Sequence, residues 1–283
     1  MPEQFILNVF DGDPNNNVWE HPGVKLKTET VVSDKFSRRD LLQPCMSQQD
    51  IGSCVGCSGA GVVADKGYRL LEDPSPMWIY QRAKFYDYWE GEDYSGTSIL
   101  GACKALQKEG CCPEQFWPYE NTEDTLPRDY AMEAAATNKI TAYYKVPLIE
   151  VNQIKELLKS QTLWFSFDVY AAIYYVGSDG MLQTEGHIES GKLGGHAVAL
   201  VGWKYVNDKL YWEVRNSWGS DWANDGYCWI EDSLFQQIVH GGMYVISLDT
   251  PIPPPPPKPE PIPEPSRKSW FRRLIEWIIN LFK

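Results

Sequence analysis

Ten of the fifteen residues from Pro251 to Pro265 are proline, and this tract limits the fold more than any other stretch. Proline has no backbone N–H and a fixed φ, so such a run enters neither a helix interior nor a sheet. Polyproline II is the conformation left to it, at roughly 3.1 Å per residue and on the order of 45 Å in all. Any hydrophobic core has to come from the residues before it. The predicted organisation is an N-terminal arm (1–37), a folded domain (38–249), a proline-rich linker (250–265) and a terminal helix (266–283).

The domain has the material for a large core, since 43% of the chain is hydrophobic and 13% aromatic. Two patterns divide it. In the first half apolar residues recur at helical spacing. Val55, Val62, Val63, Tyr68, Leu70 and Leu71 predict a buried helix over 55–72, and Trp78, Ile79, Ala83, Phe85, Tyr86 and Trp89 a second from Pro76. Leu100, Ala102, Cys103 and Leu106 predict a third, capped by Thr97 and ended at Gly110. Short helices are expected over 128–137 and 151–158, with a strand over 140–146. From Thr162 the pattern changes to β-rich runs over 162–170, 196–203, 209–216, 226–231 and 243–248, broken by glycine, asparagine and aspartate. The expected fold is α+β, a helical lobe and a sheet lobe with a site in the cleft between them.

A formal charge of −12 argues against broad nucleic-acid binding, which depends on neutralising phosphates with lysine and arginine. No apolar segment follows Met1, so no secretion signal is expected. The seven cysteines are an odd number, and the adjacent Cys111 and Cys112 cannot bridge each other without strain. Mostly reduced thiols in an intracellular setting are the expectation. No second CxxC and no paired histidines complete a zinc site, so neither metal nor other cofactor is expected.

Chemistry concentrates in Gln48-Gln49-Asp50-Ile51-Gly52-Ser53-Cys54-Val55-Gly56-Cys57. A thiol at the mouth of the first helix meets unpaired backbone N–H groups and the positive end of the dipole, which favour the nucleophilic thiolate. Such a thiol needs a base, a group that holds the base, and a donor for the developing oxyanion. Of the four histidines, His21 lies in the arm, His187 in a polar loop and His240 beside two glycines. His196 opens an apolar strand that fixes its backbone. Asn216, at the end of another strand in Asn216-Ser217-Trp218-Gly219, offers a carbonyl to an imidazole N–H, with Trp218 beside it to exclude water. Cys54 and Cys57 both compete for the role of nucleophile. Their CxxC spacing also suits a thiol-disulfide oxidoreductase, although the βαβ context of such enzymes is missing.

Gln48, Gly52-Ser53-Cys54, Gly194-Gly195-His196-Ala197-Val198 and Asn216-Ser217-Trp218-Gly219, with Trp222 and Gly226-Tyr227, resemble the papain-like cysteine peptidases in family order, over roughly residues 38–249. The resemblance implies a papain-like fold with a helical left lobe and a β-barrel-like right lobe. It implies peptide-bond hydrolysis through an acyl-enzyme, with polypeptides as substrates. Cys54 matches the nucleophile, His196 the base, Asn216 the orienting residue, Gln48 the oxyanion donor and Trp218 the shielding indole. Family members place the glutamine six residues before the nucleophile and Gly-Ser directly before it, which selects Cys54. Gly96, Ala197 and Trp222 fall where substrate-binding positions are expected. Val55 stands where the family usually has tryptophan, Gly195 where aspartate is frequent, and no inhibitory segment of the usual length precedes Gln48. The closer likeness is to bacterial and viral members.

Two other readings keep the same residues: a catalytically silent scaffold used for binding or assembly, and acyl transfer to an amine. A Cys54–Cys57 bridge formed under oxidation would switch the site off. The terminal segment Ser269–Lys283 sets Trp270, Phe271, Leu274, Ile275, Ile278, Leu281 and Phe282 opposite Arg272, Arg273, Glu276, Asn280 and Lys283. At about 22 Å it is short of a membrane span. It suits a membrane surface or a partner protein. The expected location is intracellular or virion-associated, peripheral to a membrane through this helix.

Overall fold

The structure, a computed structural model, describes residues 33–67, 69–87, 95–119, 129–146 and 151–248. The predicted proline linker, the terminal helix and most of the N-terminal arm lie outside the described residues.

The first helix, α1 (Cys54–Val63), is buried along its whole length. It can be so because it is built of small residues at its contacts. A Cβ on Gly56 would lie 2.2 Å from the Pro76 carbonyl, and one on Gly59 2.5 Å from the Trp164 ring. Helix α2 (Pro76–Lys84) crosses α1 there; Ser75 caps it by accepting from the Trp78 N–H at 3.0 Å, and Pro76 takes the first turn, where no N–H is needed. Helix α3 (Ile99–Lys108) packs against α2. Its cap is Ser98, not Thr97: the Gly101 N–H donates to Ser98 Oγ at 2.9 Å, while the Thr97 hydroxyl is drawn to Asp87.

The predicted helix over 55–72 stops at Val63. Asp65 breaks it by turning its carboxylate into a buried network. It accepts from Arg38 Nε and Nη2 at 2.7 and 2.8 Å, from the Gly67 N–H, and from the N–H and hydroxyl of Thr162. Arg38 also donates to the carbonyls of Leu158 and Lys159. These bonds tie the end of α1 to the start of the sheet.

The second half contains α4 (Asp129–Ala136), β2 (Ala142–Val146), α5 (Val151–Ser160), β3 (Leu163–Tyr170), β4 (Lys192–Val206), β5 (Lys209–Arg215), β6 (Tyr227–Glu231), α6 (Asp232–Ile238) and β7 (Val239–Ser247). The sheet is antiparallel, in the order β2-β7-β3-β4-β5-β6, and β1 (Lys35–Ser37) adds to β4. It is not closed into a barrel. β2 and β6 end the path without pairing with each other, so the expected barrel-like lobe is an open sheet. Side chains alternate along β3 and β4: Trp164, Ala197, Ala199 and Val201 join the core under the helices, and Phe165, Val198 and Leu200 join a second core with α5 and α6. Both faces are covered, which is why these strands read as nearly continuous apolar runs.

Candidate active site

Cys54 is the first residue of α1, and α1 packs on β4, the strand that carries His196. The thiol therefore sits at a helix N-terminus within a buried setting. All seven cysteines are thiols.

His196 is fully buried and pairs across β3 with Phe167, whose ring meets the imidazole edge-on at 6.0 Å. Its Nε2 lies 2.7 Å from Asn216 Oδ1, and the Ser217 backbone N–H donates to the same oxygen at 2.8 Å. A backbone N–H has to donate to an oxygen, so this contact fixes which end of the Asn216 amide faces the ring. Nε2 must then carry the hydrogen, and Nδ1 of the neutral imidazole has its lone pair available. Burial pushes the imidazole pKa down to about 4, against the opposing effect of the Asn216 bond. The ring is neutral near pH 7.

An aromatic wall covers this pair. Trp218 stacks on His196 at 5.1 Å, Tyr174 stacks on Trp218 at 5.7 Å, and Trp222 meets Trp218 edge-on at 5.2 Å. Indole and phenol faces exclude water from the His196–Asn216 bond, where a low dielectric strengthens it.

Gln48 is fully buried. Its Nε2 donates to the Ile51 carbonyl at 3.0 Å, and its Oε1 accepts from Ser217 Oγ at 2.8 Å. Its backbone is held as firmly: the Gln48 N–H donates to the Ser217 carbonyl at 2.7 Å, and the Tyr119 hydroxyl donates to the Gln48 carbonyl at 2.6 Å. With that hydrogen used, Ser53 Oγ is the donor to Tyr119 at 2.5 Å. Ser53 also lies 3.6 Å from the Cys57 sulfur. Cys57 is a core thiol pushed up to about 12 by burial, as expected of a small buried hydrophobe one turn into the helix.

The structure thus gathers Gln48, His196, Asn216, Trp218 and Trp222 around linked contacts, and Cys54 heads α1, which packs on the strand of His196. Ala197 is buried on β4 opposite Ser166. Gly96 has φ +98°, a conformation that favours glycine, and its N–H donates to the Tyr80 hydroxyl at 3.3 Å. Burial raises the Tyr80 pKa, against the opposing effect of the bond from the Gly96 N–H. Sequence reasoning missed Tyr119, Tyr174 and Ser217. Ser217 stood inside a motif already singled out; the two tyrosines carry no local pattern that separates them from other core aromatics.

The family model for papain family cysteine proteases matches residues 31–243. The chain is 36% identical over 262 residues to the cathepsin B-like CP3 of Giardia intestinalis, covering 85% of this chain and 82% of that protein. It is 29% identical over 202 residues to cathepsin B-like cysteine proteinase 3 of Caenorhabditis elegans, covering 70% of this chain and 51% of that protein, so it spans about half of that relative's length. Among solved structures, xylellain, a cysteine protease from Xylella fastidiosa, superposes with a TM-score of 0.70 at 24% identity, over 86% of this chain and 96% of that one. The chain belongs to the papain family of cysteine proteases.

Proposed function

We propose that the chain is a cysteine peptidase that hydrolyses peptide bonds of polypeptide substrates, with Cys54 as nucleophile, His196 as base, Asn216 as the residue that orients it and Gln48 as an oxyanion donor. The observation that carries this reading is the Asn216 oxygen shared by His196 Nε2 and the Ser217 N–H, which leaves Nδ1 as the acceptor. The thiol proton passes to Nδ1 as the sulfur attacks the scissile carbonyl carbon. The oxyanion formed is met by the Gln48 amide N–H and the backbone N–H at the head of α1. Collapse breaks the C–N bond, and the imidazolium gives its proton to the departing amine. Water, deprotonated by the same imidazole, then releases the acyl group and restores the thiol.

Family membership and the retained Cys, His, Asn and Gln support this over a silent scaffold. Trp218 shields the imidazole bond, and Gly96, Ala197 and Trp222 are assigned to the substrate-binding surface. The test is cleavage of a fluorogenic peptide pool together with labelling by an E-64-type epoxide. Both are expected in the full chain and absent in Cys54→Ala. No turnover and no labelling under reducing conditions would favour the scaffold.

The terminal segment Ser269–Lys283 is assigned to surface attachment, its basic groups and tryptophans suiting anionic lipid, with residues 250–265 as the tether. Flotation with liposomes is expected to recover the full chain and not a chain ending at Pro265. Equal recovery of both chains would overturn the membrane reading.

A further inference from the structure

Each of the helices α1, α2 and α3 opens on a serine. Ser75 and Ser98, both extended, cap α2 and α3 in the ordinary way: each side-chain oxygen accepts from the N–H three residues on, Trp78 at 3.0 Å and Gly101 at 2.9 Å. Ser53 stands in the same place before α1 and makes no such cap. Its backbone is nearly helical, with φ −97° and ψ 22°, and its hydroxyl is bonded instead to Tyr119 at 2.5 Å. A serine oxygen set over the first turn would bring the negative end of a dipole to the positive end of the helix. At the helix that Cys54 heads, that arrangement would oppose a thiolate or an oxyanion, and it is the one the fold avoids.

Tyr119 does more than hold Ser53, because its hydroxyl also donates to the Gln48 carbonyl at 2.6 Å. The directions follow from the hydrogens available. With the Tyr119 hydrogen on Gln48, Ser53 donates to Tyr119, and the Cys57 thiol, 3.6 Å from Ser53 Oγ, donates to Ser53. Three bonds thus point one way and end on the Gln48 carbonyl, and each polarises the next. The turn they support is strained: Gln49, the next residue, has φ +54°, and the Ile51 N–H reaches the same carbonyl only at 3.3 Å. Tyr119 is itself well anchored. Its ring is buried in the core that holds Cys54 and Trp78, and its N–H donates to Glu114 Oε1 at 2.6 Å.

One oxygen atom therefore joins the residue of the proposed oxyanion amide to the residue directly before the proposed nucleophile. We propose that Tyr119 is a positioning residue of the hydrolysis: its hydroxyl sets the separation between the Gln48 amide and the backbone N–H at the head of α1, the two donors assigned to the oxyanion. The role rests on the peptidase reading above. Tyr119 acts through Gln48 and Ser53, and the substrate meets only the donors that it holds apart.

Tyr119→Phe removes the one oxygen and keeps the ring. In the full chain, kcat for a peptide is expected to fall about tenfold or more, with KM within about twofold of the parent. Two reagents separate this from a general loosening of the fold. A peptide aldehyde takes the thiol across its carbonyl and leaves an oxygen between the two donors, so its affinity is expected to weaken in step with kcat. Iodoacetamide is attacked at a saturated carbon, where no oxyanion forms, and its alkylation of Cys54 is expected to stay within about twofold of the parent rate. Unchanged kcat, unchanged aldehyde affinity, or alkylation slowed as much as turnover would overturn the role. Should Tyr119→Phe fail to fold, Ser53→Ala decides: it breaks the link to α1, keeps the bond to Gln48, and is expected to show the same selective loss. A parent chain that neither cleaves peptide nor is labelled by the epoxide ends the peptidase reading and this role together. An active parent matched by an equally active Tyr119→Phe ends the role alone.

Discussion

Ser217 Oγ donates to Gln48 Oε1 at 2.8 Å across 169 residues of chain. The residue next to the proposed imidazole orienter thus fixes the amide of the proposed oxyanion donor, and a second bond, from the Gln48 N–H to the Ser217 carbonyl, holds the two backbones together. Gln48→Ala is expected to lower kcat by about 10²–10³, as loss of one oxyanion donor does elsewhere. Ser217→Ala leaves the donor present but unfixed, and a fall nearer tenfold in kcat with little change in KM is expected. Steady-state kinetics on one peptide read both, and an unchanged kcat in Ser217→Ala would remove Ser217 from any positioning role.

The proposed role of His196 as base predicts an acid limb of activity. Burial holds the imidazole to about 4 in the fold, against the usual 6.5. As pH falls below 6.5 the unfolded chain takes up a proton at this site that the folded chain refuses. This contribution to stability is therefore complete above 6.5 and lost progressively toward 4. The limb of kcat/KM is expected in the same window, below 6.5. Asn216→Ala removes the bond that raises the pKa, and the ring should titrate lower still. Imidazole NMR across pH 3–8 measures both chains, and an acid limb at or above 6.5 would contradict the assignment.

Asp65 tests the buried network at the end of α1. Burial opposes its ionisation, but the bonds from Arg38 and Thr162 and the Arg38 charge hold its pKa below the usual carboxylate value. The stability it contributes is present above the unfolded pKa and disappears as pH drops through the lowered one. Asp65→Ala leaves Arg38 buried without its partner and is expected to cost about 3–5 kcal/mol. Urea unfolding at pH 7 gives the figure, and the gap between the two chains should narrow in acid.

Cys57→Ala separates the two thiols. Cys57 is packed in the core with its pKa raised, so replacing it is expected to keep kcat/KM within about twofold and to cost on the order of 1 kcal/mol. If, after peroxide treatment, dithiothreitol restores activity to the parent chain while Cys57→Ala is no longer inactivated in that reversible way, the oxidative bridge is real. Identical behaviour of the two chains would exclude it.

Much of this was legible in the residues. The proposed catalytic residues stand in motifs whose spacing reports local geometry: a thiol after Gly52-Ser53 at a helix start, and an asparagine directly after a strand. The first helix was read too long because Asp65 is diverted by Arg38 and Thr162, partners 27 and 97 residues away. β1 was missed because three residues carry no period, and its place is set by pairing with β4. α6 was missed for a related reason: seven residues between two strands give two turns, and burial of Leu234, Phe235 and Ile238 stabilises them more than local propensity does.

The glycines of α1 bear on motion as much as on packing. With the Pro76 carbonyl over Gly56 and the Trp164 ring over Gly59, the helix can neither roll nor slide by a residue, about 1.5 Å, without driving a Cβ or a backbone atom into a neighbour. The position of the proposed nucleophile along α1 is thus held by excluded volume at two points where side chains are missing.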